Sequence, residues 1–169
     1  MADPARLFAA HQHRVFRYLC GAVGHAETAR DLTQEVFLRV SRSAAPTNGD
    51  ARPWLFRIAR NLALDYHRSR TRHPESSSHV DEANRPASQD VSTAVNEALA
   101  ALQPLDRDVF LMREVAGLGY AEIAAACDLT PDAVRSRIHR TRLQLRDRLA
   151  APIATSRTMA TRWGRTRED

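Results

Sequence analysis

Apolar residues recur at helical spacing along most of the chain, and the pattern predicts seven helices and no strand. The first helix is expected from Pro4 to about Val23, with Phe8, Val15, Leu19 and Ala22 on one stripe and Gly24 as its stop. A second runs from near His25 to near Ser41 on the stripe Ala29, Leu32, Val36 and Val40. Ala45-Pro46-Thr47-Asn48-Gly49-Asp50 reads as a turn-rich break. A third helix follows, with Pro53 near its first turn and the stripe Trp54, Ile58, Leu62 and Tyr66. From His73 to about Ser92 the chain is polar, with two prolines and almost no large apolar residue, the composition of a linker. Helical spacing then resumes with Val91, Val95, Leu99 and Leu102, which Asp90 can cap, and with Leu105, Val109, Met112 and Ala116 up to Gly117. A short helix from Ala121 to about Cys127, a turn at Asp128-Leu129 and a long helix complete the order. Thr130 caps that last helix, Pro131 takes its first position, and Val134, Ile138, Thr141, Leu145 and Leu149 form its core stripe. The reading is therefore all-α: two small helical domains joined by a flexible linker. Their bounds are 5–72 and 92–150, with 73–91 as the linker and 151–169 as a tail without periodicity, expected to be disordered.

Composition narrows the function classes. The chain has 169 residues, 43% of them hydrophobic and 27% charged, too apolar for wholesale disorder. Six glycines and few β-branched runs argue against a β-rich fold. Cys20 and Cys127 cannot staple a disulfide scaffold. No apolar run reaches the roughly 18 residues of a membrane span, and the N-terminus carries an acid, Asp3, early and lacks the apolar segment of a secretory signal, so a cytoplasmic protein is expected. His11, His13 and His25 lack a partner at metal-ligand spacing, and no phosphate loop or nucleophile motif occurs. No catalytic residue, metal or cofactor is expected, and the chain does not read as an enzyme.

All 25 basic residues are arginine, and the net charge is +5. Their placement matters more than their number. Residues 52–72 carry six arginines against one acid, and 131–169 carry ten against four. Between them, 75–108 holds seven acids and two arginines. Basic helical blocks suit a polyanion, of which the nucleic-acid backbone is the commonest; solvated faces in an arginine-rich composition are the bland alternative.

The motifs separate these readings. A short helix, a tight turn and a longer capped helix make a helix-turn-helix. With Val134 at zero and about 100° per residue, Arg135, Ser136, His139, Arg140, Leu143 and Arg146 oppose the apolar stripe. Such a face can enter a major groove, where arginine bonds a guanine edge twice. On the third helix, Arg57, Arg60, Asn61 and Arg68 share a face, with Trp54, Phe56 and Tyr66 interleaved, a composition that suits unstacked bases; the aromatics read equally as core anchors. On the second, Asp31, Gln34, Glu35 and Leu38 share a face that suits a protein partner or simple solvation.

Four segments occur in a telling order: Asp31-Leu32-Thr33-Gln34-Glu35-Val36-Phe37-Leu38, Trp54-Leu55-Phe56-Arg57-Ile58-Ala59-Arg60-Asn61-Leu62-Ala63-Leu64-Asp65, Leu118-Gly119-Tyr120-Ala121-Glu122-Ile123-Ala124, and Ala133-Val134-Arg135-Ser136-Arg137-Ile138-His139-Arg140-Thr141-Arg142. Over about residues 5–150 they resemble the extracytoplasmic-function (ECF) sigma factors of the bacterial sigma-70 family. The resemblance implies a σ2-like bundle at 5–72, a σ4-like helix-turn-helix domain at 92–150, and no σ3 domain. It implies that Asp31, Gln34, Glu35 and Leu38 meet the β′ clamp of core RNA polymerase, with the β flap as a second contact. It implies that Trp54, Arg57, Arg60, Asn61 and Arg68 bind the −10 element, with Asn61 at a flipped base. It implies that Arg135, Ser136, Arg137, His139, Arg140 and Arg142 bind the −35 element. His139 departs from the bulky residue common at its position. An anti-sigma factor is a further implied partner, and the acidic linker is placed near the polymerase cleft. Two rival classes remain at this level: a self-sufficient helix-turn-helix dimer and a helical adapter binding only proteins.

Overall fold

Leu7, Val15, Tyr18, Leu19 and Ala22 line one side of the first helix, and their burial fixes how it packs. The computed structural model describes the backbone of residues 4–43, 51–72 and 89–160. Seven helices, and no strand, occur among the described residues: α1 (Pro4–Val23), α2 (Ala26–Arg42), α3 (Ala51–Arg72), α4 (Gln89–Ala100), α5 (Pro104–Glu114), α6 (Tyr120–Cys127) and α7 (Pro131–Ala160). The expected turn at 45–50 and most of the expected linker, 73–88, lie outside the described residues.

Helices α1, α2 and α3 pack pairwise into one bundle, and α5, α6 and α7 into a second that α4 joins through α7. The two bundles also touch: α3 lies on α6, and α1 on α5 and α4. That contact changes which residues form the core. In α3 the buried face is Ala51, Leu55, Phe56, Ala59, Leu62 and Ala63, whereas Trp54, Ile58 and Tyr66, expected as core, are half-buried at its margin. The reason is that α3 packs against three helices, α1, α2 and α6. A stripe with a single partner is narrower than this buried face. In α1 the expected Val15, Leu19 and Ala22 are buried, but Leu7 takes the inward place near the start and Phe8 is exposed, its ring edge-on to Phe37 at 4.9 Å. Leu32 is half-buried while Thr33 and Phe37 go inside, and Val95 is exposed while Ala98 takes the inner position of α4.

The helix-turn-helix is built as its sequence dictates. Gly117 takes φ +71° ahead of α6, a left-handed conformation that glycine adopts without strain. The Gly119 N–H donates to Glu122 Oε2 at 2.6 Å and satisfies an orphan donor at the start of α6. Asp128 ends α6 in the left-handed region, φ 56° and ψ 47°. The Thr130 hydroxyl then accepts from the Ala133 N–H at 3.2 Å, with Pro131 at the first position of α7. Removing that cap with Thr130→Ala is expected to lower stability by about 1 kcal/mol in urea denaturation, with no change in m-value. The α7 backbone is helical to Ala160, past the expected domain boundary at 150. Residues 161–169 lie outside the described residues.

Candidate nucleic-acid interface

The outward face of α7 is the most open of the three charged faces. Arg135, Ser136, His139 and Arg140 are all exposed, and among the described residues no ion pair engages Arg140. Arg135 is pre-oriented by Asp132 at 2.9 Å and by the Tyr120 ring, 5.6 Å from its guanidinium carbon. Arg113 reaches the same ring at 4.9 Å, so one tyrosine between two cations ties the start of α6 to α5 and α7.

Two of the expected −35 residues turn elsewhere. Arg137 bonds Asp106 at 2.6 Å and Arg142 bonds Glu114 at 2.5 Å, and both acids lie on α5. Helix α7 therefore uses two of its arginines to bind its neighbour. The helical wheel explains the split: with Val134 at zero, Arg137 falls near −60° and Arg142 near 80°, bracketing the apolar stripe at about 100° per residue.

The α3 face is divided. Asn61 and Arg68 are exposed, Arg68 with Asp65 at 3.5 Å, while Trp54 is half-buried. Arg57 and Arg60 point at the second bundle. An Arg57 Nη donates to the Ala125 carbonyl and to Asp128 at 2.8 Å. Arg60 Nε donates to Asp108 at 3.0 Å, and its side chain is only 19% exposed.

Asp108 is the centre of that contact. It is 3% exposed and also accepts from the Tyr18 hydroxyl at 3.1 Å. Burial pushes its carboxyl above the usual range, and Arg60, the Tyr18 hydrogen bond and Arg107 only partly oppose this. Desolvation thus outweighs pairing, so Asp108 stabilises the fold most below the ordinary carboxylate pKa. That contribution fades as pH rises through the raised value. His67 lies across the same seam, its Nε2 2.9 Å from the Ala22 carbonyl and 3.2 Å from the Arg107 guanidinium. Burial lowers its pKa, and Arg107 adds to the effect, so its stabilising contribution is present above the imidazole's ordinary value and is lost on acidification. Cys127 is buried and its thiol is pushed up to about 11, which leaves it unreactive; no group of metal-ligating side chains occurs among the described residues.

On α2, Asp31, Gln34 and Leu38 are exposed, and Glu35 is half-buried with Arg39 at 2.8 Å. Gln34 and Leu38 border an open recess of about 450 Å³ completed by Ala5, Phe8 and Phe37. Sequence reasoning missed Phe8 as a surface residue.

A helical bundle followed by a capped helix-turn-helix with an exposed arginine-bearing face has the arrangement of the helix-turn-helix DNA-binding proteins. Family comparison gives the particular class. The sigma-70 region 2 family matches residues 7–73, and the sigma-70 region 4 family matches 92–145. The chain is 34% identical to the RNA polymerase sigma factor CarQ of Myxococcus xanthus, over 85% of this chain and 87% of that one. It is 38% identical to the ECF RNA polymerase sigma factor SigE of Mycolicibacterium smegmatis, over 83% of this chain and 59% of the relative, so it spans well under two thirds of SigE. The solved structure of CnrH in complex with the cytosolic domain of CnrY matches with a TM-score of 0.68 and 25% identity, over 88% of both chains. The chain belongs to the ECF sigma factors of the sigma-70 family. Sigma factors are transcription initiation factors rather than catalysts. No described helix is long and apolar enough to cross a membrane.

Proposed function

We propose that the chain is a dissociable promoter-specificity subunit, carried by core RNA polymerase in the cytoplasm and directing it to promoters with a −35 and a −10 element. Residues 5–72 serve the polymerase and the −10 element, 92–150 the −35 element and the β flap, and 73–91 connect them. Asp31, Gln34, Glu35 and Leu38 dock the β′ clamp. Trp54, Arg57, Arg60, Asn61 and Arg68 hold the opened −10 strand, Asn61 at the flipped base. Arg135, Ser136, His139 and Arg140 read the −35 element, with Arg137 and Arg142 as helix-positioning residues at its border. The observation that carries this reading is α7, whose Ser136, His139 and Arg140 stand exposed at the front of a capped helix-turn-helix. CnrH is bound by the cytosolic domain of CnrY. A protein inhibitor, an anti-sigma factor, is accordingly proposed as the partner that holds this chain in reserve.

Two substitutions test the assignment. Arg140→Ala is expected to weaken −35 duplex binding by about 1–3 kcal/mol and to relax preference at one base pair; an equal loss on every sequence would reduce Arg140 to a phosphate contact. Asp31→Ala with Glu35→Ala is expected to lower capture by core polymerase at least tenfold, while duplex binding by α7 stays unchanged. Unaltered capture would remove α2 from the polymerase interface.

A further inference from the structure

Arg107 of α5 is only 9% exposed, yet among the described residues no ion pair engages it. The acids beside it on α5 are taken: Asp108 holds the Tyr18 hydroxyl on one oxygen and Arg60 on the other, and Asp106 holds Arg137. Arg107 Nε is buried without a hydrogen-bond partner. Arg107 Nη2 lies 3.2 Å from His67 Nε2, and that nitrogen is also 2.9 Å from the Ala22 carbonyl. One ring nitrogen cannot serve both neighbours. Protonated, it donates to the carbonyl and confronts the guanidinium N–H; unprotonated, it accepts from Arg107 and turns its lone pair on the carbonyl oxygen. Either tautomer leaves a polar group unsatisfied, and a buried charge is ordinarily paired.

Arg107 and His67 line a cavity of about 80 Å³, which Ala22 and Gly24 at the end of α1 and Asn96 and Ala100 of α4 help to close. Gly24, Asn96 and Ala100 are exposed, so the cavity opens to solvent on that side. Nε and Nη2 share one edge of the guanidinium and form a fork for two oxygens of one oxyanion. Arg70, on the same helix as His67, adds to the positive field. The volume suits an ion of a few heavy atoms; sites for drug-sized ligands are several times larger. We propose that this cavity binds a phosphate-type oxyanion, held by the Arg107 fork, with the His67 ring as second donor and the Asn96 amide at the rim. The ion neutralises Arg107 and frees His67 Nε2 from serving two neighbours. It stabilises the folded chain by mass action. None of the residues assigned to polymerase or DNA lines the cavity, so the site is separate from those faces.

Inorganic phosphate, added to the full chain in a zwitterionic buffer with chloride balancing the ionic strength, tests this. The melting temperature should rise saturably with phosphate, and calorimetric titration should give one site. Arg107→Gln removes the charge and the fork. It should weaken phosphate binding at least tenfold and abolish the rise, while melting no lower than the parent in phosphate-free buffer, because it removes an unpaired buried charge. Arg135→Ala with Arg140→Ala, on the open face of α7, should keep the full rise. A second readout needs no variant: the His67 ring proton followed by NMR across pH. Burial, Arg107 of α5 and Arg70 hold the His67 pKa down, against the Ala22 carbonyl and Asp108 of α5. Saturating phosphate should move it back up, since an anion at the ring favours the imidazolium. Phenyl phosphate separates two sources of the same chemistry: weaker binding than inorganic phosphate supports the free ion, and equal or tighter binding supports the phosphate group of a larger molecule. An unmoved His67 titration, or a rise in melting temperature that survives Arg107→Gln, would overturn the site.

Discussion

Phe56→Ala is expected to lower the unfolding free energy by about 3–5 kcal/mol. Its ring is fully buried in α3 and stands edge-on to Tyr18 of α1, with centroids 5.7 Å apart and planes at 80°. Tyr18 is itself fully buried and donates its hydroxyl to Asp108 of α5. Truncation therefore leaves a void in the first bundle beside the group that ties it to the second. Domains of this size are stable by only about 5–15 kcal/mol, so the loss is a large fraction of the whole. Phe56→Leu, which keeps most of the volume, should lose less than about 1.5 kcal/mol. Urea denaturation followed by circular dichroism measures both. A loss under about 1 kcal/mol for the alanine variant would mean that this ring does not anchor the bundle.

Arg57→Ala with Arg60→Ala is expected to have the largest effect on activity. With core polymerase present, run-off transcripts should fall by more than tenfold, because both guanidiniums are assigned to the −10 strand. The salt dependence of strand binding by the chain assembled with core polymerase identifies the cause. Each phosphate contact on a single strand contributes about 0.7 to the slope of log affinity against log salt, so losing two should reduce it by about 1.4. Stability should change far less than removal of a buried ion pair implies. Arg60 pairs with Asp108 across the seam between bundles, and the seam can part and hydrate the carboxylate without unfolding either bundle. An unchanged salt slope would transfer these arginines from DNA binding to internal structure.

Much of the fold could be read directly because each helix carries its own period, caps and breakers. Thr130-Pro131 at the head of α7 and Gly117 before α6 act within one or two turns, and local signals of this kind survive in sequence. The errors have a shared physical source. Trp54, Ile58 and Tyr66 were expected inside from their spacing alone; α6, which packs on α3, lies some sixty residues away, and no periodicity reveals it. Arg57 and Arg60 could be placed on one face of α3, but not at the acidic row of Asp108 and Asp128, for the same reason. Arg137 and Arg142 differ, since their positions at the border of the α7 stripe were already present in the helical wheel. What the sequence lacked there was the matching pair on α5, Asp106 and Glu114.

Run-off transcription with purified core RNA polymerase, this chain and a library of random promoter-length DNA tests the two-face reading most directly. Transcripts should appear only when the chain is present. Their start sites should lie at a fixed distance downstream of a shared two-part motif, and Arg140→Ala should change preference in the upstream part alone. Transcripts that do not depend on the chain, or start sites with no common upstream and downstream elements, would contradict a subunit that reads promoters through α7 and α3.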